Sequence, residues 1–102
     1  MDKADMTDVK KELNQLFDRA LWAAHSLFER NKVSGSSGNF SFRFGERIYI
    51  TAGGTGFGTL KKEDFAVLDE KFRHISGPKP SKEWPLHCML YQKHGDVGAV
   101  LH

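Results

Sequence analysis

The sequence of 102 residues holds one cysteine, Cys88, so it closes no internal disulfide, and a zinc knuckle, which needs several thiolates, is excluded with it. A reducing cytoplasm is the expected setting. There is also no block of like charge. Fifteen Lys and Arg stand against 13 Asp and Glu, a formal +2 with the signs interspersed, which excludes the basic footprint of nucleic-acid binding; no nucleic-acid partner is expected. No run approaches the about 18 apolar residues of a membrane span. The N-terminal stretch MDKADMTDVKKELNQ carries charges of both signs where a secretory signal needs an apolar core. The expectation is a soluble chain without a membrane partner. Length bounds the rest, since 102 residues make one domain at most.

What is present is well patterned. From Asp8 to about Asn31, Val9, Leu13, Leu16, Phe17, Ala20, Leu21, Ala24, Leu27 and Phe28 recur at steps of three and four, which places them on one face of an amphipathic helix. Thr7 or Asp8 is the expected cap, Gly35 lies beyond the helix end, and His25 flanks the buried stripe. A tight loop, Ser34 to Asn39, leads into a strand in which Phe40, Phe42 and Phe44 alternate with Ser41 and Arg43. Gly45-Glu46 makes a two-residue turn into a returning strand, Arg47 to Thr51. A second glycine-rich loop, Ala52 to Thr59, precedes a helical turn at Leu60 to Asp64, a strand at Phe65 to Leu68 and another at Phe72 to Ser76. Ser81 is placed as the cap of a helix from Lys82 to His94, and Val97 to His102 reads as a buried strand. Trp22, Trp84 and the hairpin phenylalanines read as core.

Both glycine-rich loops and the start of the second helix are candidate anion sites, because uncovered backbone N–H groups and a helix N-terminus favour phosphate. For either loop taken singly plain turn geometry is the better explanation, and neither fits a dinucleotide or nucleotide-binding fingerprint; it is the three candidate sites together that favour an anion. Glu83, in the first turn, either complements the helix dipole or acts as an acid/base group. His87, one turn on, is its partner or makes an exposed contact with it. His102 is a rim histidine or one ligand of a metal that needs at least three. Cys88 and His87 point about 100° apart on a helix, which excludes a Cys/His nucleophilic couple.

Four motifs in order carry a resemblance: Gly35-Ser36-Ser37-Gly38-Asn39-Phe40-Ser41, Ile50-Thr51-Ala52-Gly53-Gly54, Lys79-Pro80-Ser81-Lys82-Glu83-Trp84-Pro85-Leu86-His87 and Gly98-Ala99-Val100-Leu101-His102. Together they resemble the class II aldolase/adducin family, on the side of its fuculose-phosphate aldolases. The resemblance implies a three-layer α/β/α fold with a mostly antiparallel central sheet, in which residues 1–102 are the N-terminal portion of a single, truncated domain. In the family the pattern continues past the place of His102 with a second histidine two positions on and a third much later. It implies a homotetramer with the site between subunits.

By that resemblance Gly38 and Asn39 bind the substrate phosphate, Gly53 and Gly54 form the second phosphate loop, and Ser81 and Lys82 precede the catalytic Glu83, with His102 as the first zinc ligand. Family epimerases carry Asp where Glu83 stands. Two positions depart: Gly53 replaces a hydroxyl-bearing residue, and Lys82 replaces a serine and adds positive charge. The implied activity is zinc-dependent aldol cleavage of a phosphorylated ketose, with Glu83 moving the proton from a burial-tuned pKa and these 102 residues inactive alone. Alternatives within the family are an epimerase, a decarboxylase, a dehydratase, or a non-catalytic adducin-like interaction domain.

Overall fold

Successive residues of a strand point to opposite faces, so parity along each strand decides which layer a side chain joins. The computed structural model describes residues 3–30 and 38–102. Helix α1 (Lys3–Glu29) is followed by strands β1 (Phe40–Phe44) and β2 (Arg47–Thr51), then by 3₁₀ turns at Phe57–Thr59 and Lys62–Asp64. Strands β3 (Phe65–Leu68) and β4 (His74–Ser76), helix α2 (Trp84–Lys93) and strand β5 (Ala99–Leu101) complete the described fold. The strands form one sheet in the order β4-β3-β2-β1-β5, with every neighbouring pair antiparallel.

Register then sorts the residues. Phe42 stands opposite Tyr49, and Tyr49 opposite Val67, in the row that packs on α1. Ser41 stands opposite both Ile50 and Val100, and Ile50 opposite Ala66, in the row that faces α2. On the α1 side Phe17 presents ring edges to Phe42, Tyr49 and Phe65 with centroids 5.2, 5.3 and 5.3 Å away, and small Ala20 and Ala24 let the helix approach. His25 flanks this stripe as expected and donates from Nε2 to the Leu60 carbonyl at 2.9 Å. On the opposite side Cys88 and Tyr91 of α2 pack against Ile48, Ile50, Ala66, Leu68 and Val100. Helix, sheet and helix make the three expected layers.

Several expectations need correction. Helix α1 starts before Thr7 and Asp8, which lie inside it, because no Gly or Pro in that stretch stops the helix. The Ser34–Ser37 part of the first glycine-rich loop, with Gly35, lies outside the described residues. Strand β4 begins two residues late. The Asp69 carboxylate accepts from the Lys71 and Arg73 amides and from Arg73 Nε, and Phe72 takes a φ of +63°, a left-handed conformation no strand accommodates. Helix α2 is shorter than expected at both ends, since Lys82 and Glu83 form a turn ahead of it. Strand β5 is an edge strand with only Val100 buried. Trp22 is 68% exposed and Trp84 37%, so neither is core: Trp22 sits off the buried stripe of α1, whereas Trp84 shares the phase of His87, Cys88 and Tyr91 but is the first residue of α2.

Phe17 is the residue on which the α1 layer converges. Phe17→Ala is expected to remove about 3–5 kcal/mol of stability, read from the urea midpoint; a loss under about 1 kcal/mol would contradict this account of the core.

Candidate functional site

Because β1 and β2 are antiparallel, the start of the first and the end of the second lie at one end of the sheet, and β5 ends there as well. Thr51 ties the strand ends together, its Oγ1 accepting from the Phe40 amide at 3.1 Å. A short antiparallel bridge between Ala52 and Pro80 brings in a third segment. Ser81 N donates to Thr51 O at 2.9 Å and Gly53 N to Lys79 O at 3.3 Å. The result is a cleft of about 330 Å3 lined by Gly38, Asn39, Ala52, Gly53, Gly54, Ser81, Lys82 and Glu83.

Seven of the eight residues singled out from sequence therefore share one cleft. The eighth, His102, adjoins it: its backbone exchanges two hydrogen bonds with Asn39, both 2.9 Å, and its Nδ1 lies 3.5 Å from Asn39 Nδ2. Their states differ from expectation at Gly53 and Glu83. The Gly53 amide is engaged by Lys79 and is not open to an anion. Gly54 keeps a φ of +80°, which favours glycine, on the exposed lip of the loop. Glu83 is the N-cap residue and not part of the first turn, and it is exposed where burial was expected. Ser81 is buried and accepts the Glu83 amide on Oγ at 3.2 Å, while Lys82 is exposed.

Behind the cleft lies a hydrogen-bonded row that the sequence reading missed, although it named two of its members, Asn39 and His87, separately. His87 is 0% exposed, not an exposed partner of Glu83. Its Nδ1 is 2.6 Å from Ser41 Oγ, which is 2.8 Å from the Tyr91 hydroxyl, and its Nε2 bonds Asn39 Oδ1. Burial, and secondarily the charge of His102, lower the His87 pKa from 6.5 to about 4, so it is neutral at pH 7. The signal was there: Ser41 is the polar intruder among the hairpin phenylalanines, and His87 and Tyr91 are four apart on one helix face. Burial also pushes the Cys88 thiol up to about 11, which leaves it inert as a nucleophile.

A zinc ion needs at least three protein ligands. Among the described residues no group of three His, Cys, Asp or Glu is gathered, so His102 is one imidazole and not a cage. These residues do not by themselves fit a zinc ion. Nor, among them, is any helix long and apolar enough to cross a membrane.

The buried His87 makes stability depend on pH with a definite sign. Its folded pKa, about 4, lies below the ordinary 6.5, so between these values the unfolded chain binds a proton the folded one refuses. Stability from this group is complete above pH 6.5 and is lost as pH falls from there through 4. Relative to His87→Gln, the unfolding free energy is expected to drop by up to about 3 kcal/mol from neutral pH down through that window. Parallel pH profiles for the two proteins would refute the assignment.

The profile of the Class II Aldolase and Adducin N-terminal domain matches residues 19–102. An L-fuculose phosphate aldolase of Methanocaldococcus jannaschii is 42% identical over 76 residues, 74% of this chain and 41% of that enzyme. A methylthioribulose-1-phosphate dehydratase of Methylococcus capsulatus is 43% identical over 74 residues, 72% of this chain and 36% of the enzyme. The crystal structure of YgbL from Klebsiella pneumoniae, a proposed aldolase/epimerase/decarboxylase, superposes with a TM-score of 0.82 at 31% identity, covering 87% of this chain and 44% of YgbL. The chain spans less than half the length of the curated relatives it matches. With more than half of its residues matched by that profile, the chain belongs to the class II aldolase and adducin N-terminal domain family.

Proposed function

We propose that the chain supplies the phosphate grip and the proton-transfer carboxylate of an enzyme that cleaves a phosphorylated ketose by zinc-dependent aldol chemistry. The observation that carries this reading is the convergence of three loop segments and one acidic side chain on a single cleft of about 330 Å3. That volume suits a small metabolite. Asn39 and Lys82 offer donors and positive charge, Gly54 leaves room for close backbone approach, and the start of α2 adds the favourable end of its dipole. Glu83 stands on the same rim and moves the proton at the carbon chain, while the gripped phosphate holds that chain in register.

Zinc, bound by His102 with further ligands outside these 102 residues, would supply Lewis-acid polarisation of the sugar carbonyl. A cytoplasmic homo-oligomer, tetrameric by family resemblance, belongs to the same reading. The single buried Cys88 and the exposed Trp22 support it. A second reading, dehydration of a phosphorylated ketose on the same grip and carboxylate, is favoured by one observation: the dehydratase is as similar to this chain, at 43%, as the aldolase, at 42%.

Titration of the chain with inorganic phosphate is expected to shift the amide signals of Gly54 and Lys82. Lys82→Ala should weaken binding about tenfold, whereas Glu83→Gln should leave it intact and abolish turnover of a phosphorylated ketose by the assembled enzyme. Phosphate binding that ignores Lys82, or turnover that survives Glu83→Gln, would overturn the reading. With a single metal-ligand imidazole, the 102 residues alone should not cleave the substrate, and zinc-dependent cleavage by them would refute the ligand count.

A further inference from the structure

The carboxamide of Asn39 has two unlike ends, and which one faces the cleft decides what the cleft can bind. An outward N–H2 donates to an anion, whereas an outward carbonyl repels it. The proposed phosphate grip therefore depends on something that holds this amide one way round. Its own backbone does not do so, since Asn39 N and O are spent on His102.

We propose that His87 is the positioning residue that fixes the orientation of the Asn39 carboxamide, holding its oxygen toward the interior so that its N–H2 faces the cleft mouth and His102. This inference rests on the reading of the cleft as a phosphate site. The argument runs through donors and acceptors. A neutral imidazole has one N–H and one lone pair. Asn39 Oδ1, which meets His87 Nε2, can only accept, so Nε2 carries the proton. His87 Nδ1 is then an acceptor, and the contact at 2.6 Å must be a hydrogen bond donated by Ser41 Oγ. Ser41 has spent its one proton, so at 2.8 Å the Tyr91 hydroxyl donates to it. Every hydrogen in the row points from Tyr91 toward Asn39, and the far end of the row, Asn39 Nδ2, lies 3.5 Å from His102 Nδ1. Were the His87 proton on Nδ1, Nε2 would confront the amide oxygen lone pair to lone pair. The carboxamide would turn over and show its oxygen to the anion.

His87 touches neither ligand nor metal in this account; it acts through Asn39. The imidazole tautomer is read directly by long-range 1H–15N correlation spectra of the full chain, and Nε2–H is expected for His87 at neutral pH. An Nδ1–H His87 overturns the proposal whatever else is found. Inorganic phosphate is the binding probe. His87→Leu, which fills space without a donor, is expected to weaken phosphate binding about tenfold, the worth of one hydrogen bond. His87→Gln, whose amide N–H can still reach Asn39, should stay within about threefold of the parent. Unchanged phosphate affinity in a folded His87→Leu would also sink the idea. Should the leucine variant fail to fold, the parent tautomer and the glutamine variant decide the matter. If the parent itself binds no phosphate, the functional reading of the cleft fails, and the tautomer spectrum alone decides for or against His87.

Discussion

A histidine with no exposed surface, wedged between a sheet and a helix, must have both ring nitrogens satisfied or cost the fold several kcal/mol. That requirement at His87 constrains the rest of the molecule. Ser41 has to stand on the α2 side of β1, which fixes the parity of that strand and so sends Phe40, Phe42 and Phe44 toward α1. Tyr91 has to lie one turn along α2 from His87, which sets the rotation of the helix on the sheet. Among the described residues no buried side-chain nitrogen or oxygen lacks a partner, so the polar core is closed. Asn39, at the outer end of this row, is therefore held by the interior and not by the loop it belongs to.

The cleft is built by the opposite economy, mostly from backbone. The Ser81 and Gly53 amides are spent on pinning the segment before α2 to the end of β2, and Thr51 joins that strand to β1 with its side chain. Arg43 does similar work at the other end of β1, donating to the Gly95 and Val97 carbonyls at 2.6 Å each and lying over the Tyr91 ring. The segment before β5 is thereby held, and β5 brings His102 against Asn39. The floor of the cleft is thus pinned by backbone hydrogen bonds, and Lys82 and Glu83 are exposed on its rim.

Local chemistry was legible in the sequence, and register was not. The hairpin could be read because alternating phenylalanines and Gly45-Glu46 are signals confined to a dozen residues. The cleft residues could be read because four ordered motifs carried a family resemblance. The row from Tyr91 to Asn39 escaped because its members are 46 to 50 residues apart in the chain and meet only through the pairing of β1 and the docking of α2. The start of β4 was misplaced for a physical reason of the same kind: the Asp69 carboxylate gathers the Lys71 and Arg73 amides, an arrangement that no apolar pattern announces. The tryptophans were misassigned because their spacing suggested core, whereas Trp22 lies off the stripe that α1 buries and Trp84, though in phase with His87, Cys88 and Tyr91, stands at the first residue of α2.

That misassignment carries an optical consequence. Trp84 follows Glu83 directly and opens α2 beside the cleft, whereas Trp22 rides on α1, across the sheet and 68% in contact with solvent. The two indoles are separate fluorophores on opposite layers. One indole opens the helix that follows the cleft residues Lys82 and Glu83 and the other rides the far helix, so the two emission bands belong to different layers of the molecule.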